Sequence, residues 1–405
     1  MNRKISLGVA IGLMALVAAA TFIITYNYSL KAFNETVRNV SEKEESYTRL
    51  SEMDKYIRAN FFGEIDENAL NDGVMNGYVA GLSDPYTVYY NAEDFAELQQ
   101  ADTGVTVGLG FEWEREESGY IKVVSVTEGS SAWNEGIQAG DIITAVNNTD
   151  VIAYENGYEE ASGLLSCAEG TKVKLHIKRM GEDGLSDFFE VDLISEKTEV
   201  ISVSGSLIDN VGYIRITAFN EKTSRQLRNA LTTVIEDGAE SLVFDVRGNG
   251  SDLLTAFSDS IDCILGEGDV VAAKFPDRDE IVVHTTEAEK ISMPMAVIIN
   301  SGTSACGELF AAALRDEAGA QLVGTASGGK SIMRYTHKLA GGAAIKVSVA
   351  RYETKNSGNY EGVGIKPNFE VALPSEVELS NISEETRLTL DTQLIKAVEV
   401  VQTIL

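Results

Sequence analysis

Cysteine, histidine and basic residues are all scarce in this chain of 405 residues: three Cys, three His, and 33 Lys and Arg against 62 Asp and Glu. Cys167, Cys263 and Cys306 form no C-x-x-C pair and are too few for a disulfide framework, which removes structural zinc and the small disulfide-stapled folds. The net charge of −29, with no basic run, excludes unspecific binding to a phosphate backbone. His176, His284 and His337 lack a G-x-S-x-G partner, so a histidine-based triad has no support and each is expected to be structural or exposed. Internal repeats and low-complexity tracts are absent. What is present, 44% hydrophobic and 23% charged residues, describes an ordinary folded body long enough for several domains.

The first such feature is an apolar run from Ile5 to Ile24, about the ~20 residues that span a bilayer as a helix. Arg3 and Lys4 mark its cytoplasmic side, so residues 1–30 are expected to be a transmembrane signal anchor with the body extracytoplasmic. The competing reading is a signal peptide cleaved near Ala18-Ala19-Ala20. Residues 31–100 follow a charged, helical pattern suited to packing or dimerisation. After Asp84-Pro85 the texture changes to short apolar runs between Gly, Asn and Asp turns, which read as strands. From VGYIRITAF onward, strand candidates alternate with helical stretches such as 222–237 and 307–316, predicting a mixed α/β body. Residues 376–405 are expected to be a C-terminal helical segment, with the helix over 384–405 and Ser383 as its N-cap.

GTASGGKS, Gly324 to Ser331, satisfies the phosphate-binding pattern G-x-x-x-x-G-K-[ST]. A nucleotide loop must run into a helix whose N-terminus faces phosphate. Here IMRYTHKLAGGAAIKVSVARYET follows, rich in β-branched and aromatic residues around Gly341-Gly342, and predicts a hairpin instead.

Residues 101–190 resemble a PDZ domain. Gly108-Leu109-Gly110-Phe111 matches that family's carboxylate-binding loop, and Ser131-Ala132 followed by Gly136-Ile137-Gln138-Ala139-Gly140-Asp141 matches its helix and turn. Successive backbone N–H groups in a glycine-permitted turn suit a terminal carboxylate, and an adjoining strand can pair with the peptide. Residues 191–375, and most of the chain from about Gly77, resemble the carboxyl-terminal processing peptidases. The matching pieces are Asp84-Pro85-Tyr86-Thr87, Asp245-Val246-Arg247-Gly248-Asn249, the segment Ala296–Arg334, Ala350-Arg351-Tyr352 and Gly362-Val363-Gly364-Ile365-Lys366-Pro367. The resemblance implies a protease core of the ClpP/crotonase type with an inserted PDZ domain. It also implies a Ser-Lys dyad acting on C-terminal tails of proteins, without metal or cofactor.

Under that resemblance Lys330 is the general base. A lysine desolvated in an apolar site falls from about 10.4 to roughly 7–8 and can accept a serine proton, so Lys330 is expected to be buried. The family's nucleophile lies 25 residues earlier, and position 305 is alanine. Either Ala305 replaces the serine by engineering, or the chain is a natural pseudoprotease and peptide-binding scaffold. A nucleophilic Ser304 or Cys306 fits poorly, because neighbours entering a helix point about 100° apart. The position of the family's orienting Gln is Arg334, and its N-P-G-G segment is Asn249-Gly250-Ser251-Asp252. The backbone N–H groups of Ser251 and Cys306 are the expected oxyanion hole, with Asp252 adding an unfavourable negative charge and Arg334 a like charge beside Lys330.

Overall fold

The computed structural model describes residues 45–181, 184–286, 290–374, 377 and 388–404, with residues 14, 17, 21–26 and 29 besides. Most of the expected anchor, and Ser383, lie outside the described residues; among those described, no helix is long and apolar enough to cross a membrane. The chain forms two units, Met1–Gly77 and Tyr78–Leu405. In the first, residues 45–60 are helical, and Arg58 pairs with Asp54 and Glu67.

In the second unit the strands Ser241–Asp245 and Met295–Ile299 are buried at every position. Continuous apolar strands of this kind belong in a parallel sheet covered on both faces, and the alternation of side chains shows how. Leu242 and Phe244, with Met295, Val297 and Ile299, pack on one face among Leu227, Phe257 and Phe310. Val243, Ala296 and Ile298 pack on the other against Leu394, Ala397 and Val401. The first face is covered by the helices Thr223–Glu236, Leu254–Ile261 and Cys306–Ala318, and the second by Thr392–Ile404. This last helix begins where the Asp391 carboxylate accepts the Leu394 N–H at 3.0 Å. Phe244 and Phe310 meet edge to face at 5.5 Å, each burial contributing about 1.5–3 kcal/mol.

The core sheet runs Val203–Ile208, Val211–Ile216, Ser241–Asp245, Met295–Ile299, Gln321–Gly324, Phe369–Glu370; the first pair is antiparallel and the rest parallel. A second sheet joins Val88–Tyr90, Ala344–Glu353, Gly268–Lys274 and Asp279–Thr285. Ile332–Lys338 pairs antiparallel with Ala344–Glu353 around Ala340–Gly342, so the segment after Lys330 is the expected hairpin and not a nucleotide-binding helix. The inserted sheet runs Phe111–Arg115, Ile121–Val126, Ile142–Val146, Lys172–Met180, Ser186–Ile194 over a core of Ile121, Val123, Ile143, Leu175 and Ile177. Its last strand continues past residue 190, and Val105–Gly108 pairs antiparallel with Glu196–Glu199 in a separate two-stranded sheet.

Candidate active site and peptide groove

Position 305 stands where the buried strand Met295–Ile299 ends and the helix Cys306–Ala318 begins. The intervening turn is tied down on several sides. The Asn300 side chain accepts the Gly248 and Gly302 N–H groups, each at 3.0 Å, and Thr303 donates its hydroxyl to the Val246 carbonyl at 2.9 Å. Ala305 itself has φ 50° and ψ −115°, a left-handed conformation that a residue with a Cβ adopts at a cost of about 1–3 kcal/mol. A strained strand-to-helix turn is the geometry that lifts a nucleophile out of a sheet. Here it carries a methyl group.

Lys330 is brought to this turn by a residue that sequence reasoning missed. Glu308, in the first turn of the helix and fully buried, accepts the N–H groups of Ala305 at 3.1 Å, Gly329 at 2.7 Å and Lys330 at 2.8 Å, and the Ser327 hydroxyl. One carboxylate oxygen holds both Ala305 and Lys330, so the backbones of the two positions are neighbours. Burial pushes the Glu308 carboxyl above its usual range, opposed by these hydrogen bonds. A Glu three residues after a cap position was a readable signal. Behind the lysine loop, Ser327 accepts the Ile365 N–H at 2.7 Å, and the two segments approach so closely that a Cβ on Gly364 would stand 2.2 Å from the Ser327 carbonyl oxygen.

The expected burial of Lys330 is not found: its side chain is exposed. The glycines before it serve a different close approach, since a Cβ on Gly329 would stand 2.8 Å from the Gly364 nitrogen and one on Gly328 3.0 Å from the Ser301 carbonyl oxygen. The expected oxyanion hole is also closed. The Cys306 N–H donates to the Ser251 carbonyl at 2.9 Å, and the Ser251 N–H to Asn249 Oδ1 at 3.2 Å. Cys306 is buried, which pushes its thiol far above the ordinary range and removes it as a nucleophile.

Arg334 does not act as a free charge beside Lys330. It is ion-paired with Asp252 and donates to the Tyr86 carbonyl at 3.1 Å, while Lys346 reaches the same Asp252 oxygen at 2.7 Å. Burial alone would raise the Asp252 carboxyl, but Lys346 and Arg334 hold it below its usual range. The unfavourable negative charge expected there is therefore cancelled by two cations. Glu361, also missed, accepts the Ser331 N–H at 2.7 Å and the Tyr86 hydroxyl, tying Asp84-Pro85-Tyr86-Thr87 to the end of the lysine loop. Among the histidines, His284 pairs with Asp269 and His337 is exposed, both away from this turn's contacts.

Gly108, Leu109, Gly110 and Phe111 line a separate groove of about 990 Å³ with Trp113, Leu165 and Ala168. Gly110 has φ 90°, and a Cβ there would stand 2.1 Å from the Ser130 side chain, so the loop requires glycine. The strand Phe111–Arg115 lies at the edge of its sheet, paired on one side with Ile121–Val126. No group of side chains among the described residues has the composition of a metal site.

The α/β core and the inserted sheet define a PDZ-bearing peptidase fold. Residues 210–371 match the Peptidase family S41 model, residues 122–179 a PDZ domain, and residues 10–94 the Activating protease CtpB N-terminal domain. The carboxy-terminal processing protease CtpA of Bacillus subtilis (strain 168) is 27% identical over 381 residues, 94% of this chain and 80% of that protein. The probable CtpA-like serine protease of Staphylococcus haemolyticus (strain JCSC1435) is 27% identical over 97% of this chain and 77% of its own length. A solved structure from Bacteroides fragilis NCTC 9343, assigned to the S41 proteases, shares the fold with a TM-score of 0.53 and 15% identity, over 85% of this chain and 92% of that one. The three matches, together with the CtpA relatives, support a carboxyl-terminal processing serine protease family for this chain.

Proposed function

We propose that this protein is a membrane-anchored, extracytoplasmic member of the family that captures C-terminal protein tails in its PDZ groove and does not cut them. The observation that carries this reading is the methyl group of Ala305 at the strained turn. The engaged amides of Ser251 and Cys306, the exposed Lys330 and the Arg334–Asp252 pair support it, since replacing one serine would not account for changes at Ser251, Asp252 and Arg334 as well. Tail capture is favoured by the groove of about 990 Å³ and by the edge strand Phe111–Arg115, to which a peptide can add as a further strand. The run Ile5–Ile24 after Arg3 and Lys4 is the proposed anchor, and residues 31–100 the proposed self-association region.

A second reading, a serine endopeptidase lacking its nucleophile by engineering, is favoured by the preserved turn and by the Glu308 clasp. In that case Ala305→Ser would supply a hydroxyl that attacks the scissile carbonyl as Lys330 takes its proton; the C–N bond breaks, the amine leaves with that proton, and water then hydrolyses the acyl-enzyme to the free acid and serine. The two readings part in one assay on an unfolded protein with an apolar C-terminus. The native chain should bind it through the PDZ groove and leave it whole. Cleavage by the native chain would refute the first reading, and efficient cleavage by Ala305→Ser, lost again with Lys330→Ala, would establish the second.

A further inference from the structure

The segment from Asn249 to Asp252 runs alongside the turn that carries position 305. Its Asn249 carbonyl accepts the Ser304 N–H at 2.9 Å, and two residues on the Ser251 carbonyl accepts the Cys306 N–H, also at 2.9 Å. The Ser251 hydroxyl in turn accepts the Phe219 N–H at 2.9 Å. The fit is close at both ends: a Cβ on Gly307 would stand 2.4 Å from the Asn249 carbonyl oxygen, and one on Gly250 3.1 Å from the Ser304 hydroxyl. In acyl transfer the N–H after the nucleophile donates to the developing oxyanion. Here a carbonyl of the same chain stands in that oxyanion's place.

The next residue secures the arrangement. Asp252 is held by Arg334, on the strand Ile332–Lys338, and by Lys346, on Ala344–Glu353, the two strands of the hairpin that follows the lysine loop. Arg334 is itself fixed by its bond to the Tyr86 carbonyl. A carboxylate pinned by two cations on a rigid hairpin cannot swing away without leaving both charges poorly solvated, since Lys346 is buried and Arg334 half-buried.

We propose that Asp252 and Arg334 are positioning residues that hold the 249–252 loop across the oxyanion hole, silencing the site a second time and independently of residue 305. The inference rests on the reading of the native chain as non-cleaving, and extends it from one missing hydroxyl to a loop that bars the transition state. It follows that restoring the hydroxyl alone leaves a poor catalyst.

The test uses a fluorophosphonate probe, whose phosphoryl oxygen needs the same hole, with the adduct read by intact mass. In the reaction the introduced hydroxyl oxygen bonds to phosphorus, the P–F bond breaks, fluoride leaves with the electron pair, and the hydroxyl proton passes to Lys330 or water. Ala305→Ser alone should label slowly, and Ala305→Ser with Asp252→Asn and Arg334→Gln at least tenfold faster. Ala305→Ser with Arg334→Lys, which keeps the ion pair, should stay as slow as the single variant. Equal rates for the single and triple variants, two null rates included, would overturn the proposal, as would labelling with Arg334→Lys as fast as with Arg334→Gln.

A measurement in the otherwise native chain guards against a triple variant that fails to fold. Asp252→Asn should speed hydrogen exchange of the Cys306 N–H at least tenfold, and unchanged exchange there would equally overturn the lock. Failure of the lock and failure of the functional reading are separable, because equal labelling rates leave a silent native chain intact, whereas cleavage by the native chain removes the reading itself.

Discussion

Arg247 offers a test of what holds the core together. Its side chain is 2% exposed, between Asp245 at 1% and Asp391 at 0%, with nitrogen–oxygen distances of 2.6 and 2.7 Å. Gln393 accepts from the same guanidinium at 3.0 Å, and the Tyr213 hydroxyl donates to Asp245 at 2.7 Å. Two buried carboxylates thus share one buried cation that links the sheet to the start of the helix Thr392–Ile404. Arg247→Met preserves much of the volume and removes the charge. Breaking a buried pair from one side costs about 3–5 kcal/mol, because the remaining charges lose their partner. For a unit spanning Tyr78–Leu405, with unfolding entropy of about 2.1 cal/mol/K per residue, this is a fall in Tm of roughly 4–7 °C at neutral pH.

The pH dependence makes the prediction sharper. Burial pushes the Asp245 carboxyl up, but the charge and hydrogen bonds of Arg247 more than offset it and hold the group below its usual range. A carboxyl depressed in the fold contributes stability above its unfolded pKa, about 3.9, and loses it as pH falls through the lower folded value. Without the guanidinium, burial is opposed only by the Tyr213 hydroxyl and the residue 247 backbone N–H, the folded pKa rises, and the ionised form opposes folding as pH increases. The deficit of Arg247→Met should therefore be largest at pH 7 and shrink toward pH 4. Adding Asp245→Asn and Asp391→Asn should recover at least half of it. Urea unfolding monitored by circular dichroism at several pH values measures this directly. A loss under about 1 kcal/mol at pH 7, or a deficit independent of pH, would refute the reasoning.

Three other outcomes follow from contacts already described. Gly364→Ala should lower stability by about 1–3 kcal/mol in thermal unfolding, since its Cβ would stand 2.2 Å from the Ser327 carbonyl at a residue with φ 79°. Gly110→Val should weaken binding of an apolar C-terminal peptide at least tenfold by fluorescence anisotropy while the far-UV spectrum stays native, because the Cβ would collide with Ser130 in the groove loop. Cys306, 1% exposed, should escape alkylation in the native chain under conditions that modify Cys167 and Cys263, and react only on unfolding; prompt native labelling of Cys306 would contradict its burial.

Much of the architecture was legible because its signals are local. The runs SLVFD and MAVII read as strands and are buried on both faces, and the β-branched residues after Ser331 distinguished a hairpin from a phosphate-binding helix. The PDZ loop was readable because a glycine at φ 90° leaves a fixed letter in the chain. The family resemblance set position 305 beside Lys330, and the Glu308 carboxylate accepts the backbone N–H of both.

The electrostatics of the site were not legible in the same way, because they depend on partners far apart in the chain. Arg334 meets an aspartate 82 residues away and Arg247 one 144 residues away. A cation placed near Lys330 by sequence invites an argument from like-charge repulsion, but that argument holds only if no anion lies closer. Here Asp252 lies in direct contact with Arg334. The effect of the pair passes instead to the loop that Asp252 anchors. The same logic applies to the oxyanion hole: every non-proline residue supplies an N–H, so letters can nominate Ser251 and Cys306, while only the neighbouring carbonyls determine whether those donors are free. Here Ser251 both supplies an expected donor and blocks the other with its own carbonyl, so substituting its side chain should leave that blockage largely in place, whereas releasing Asp252 should not.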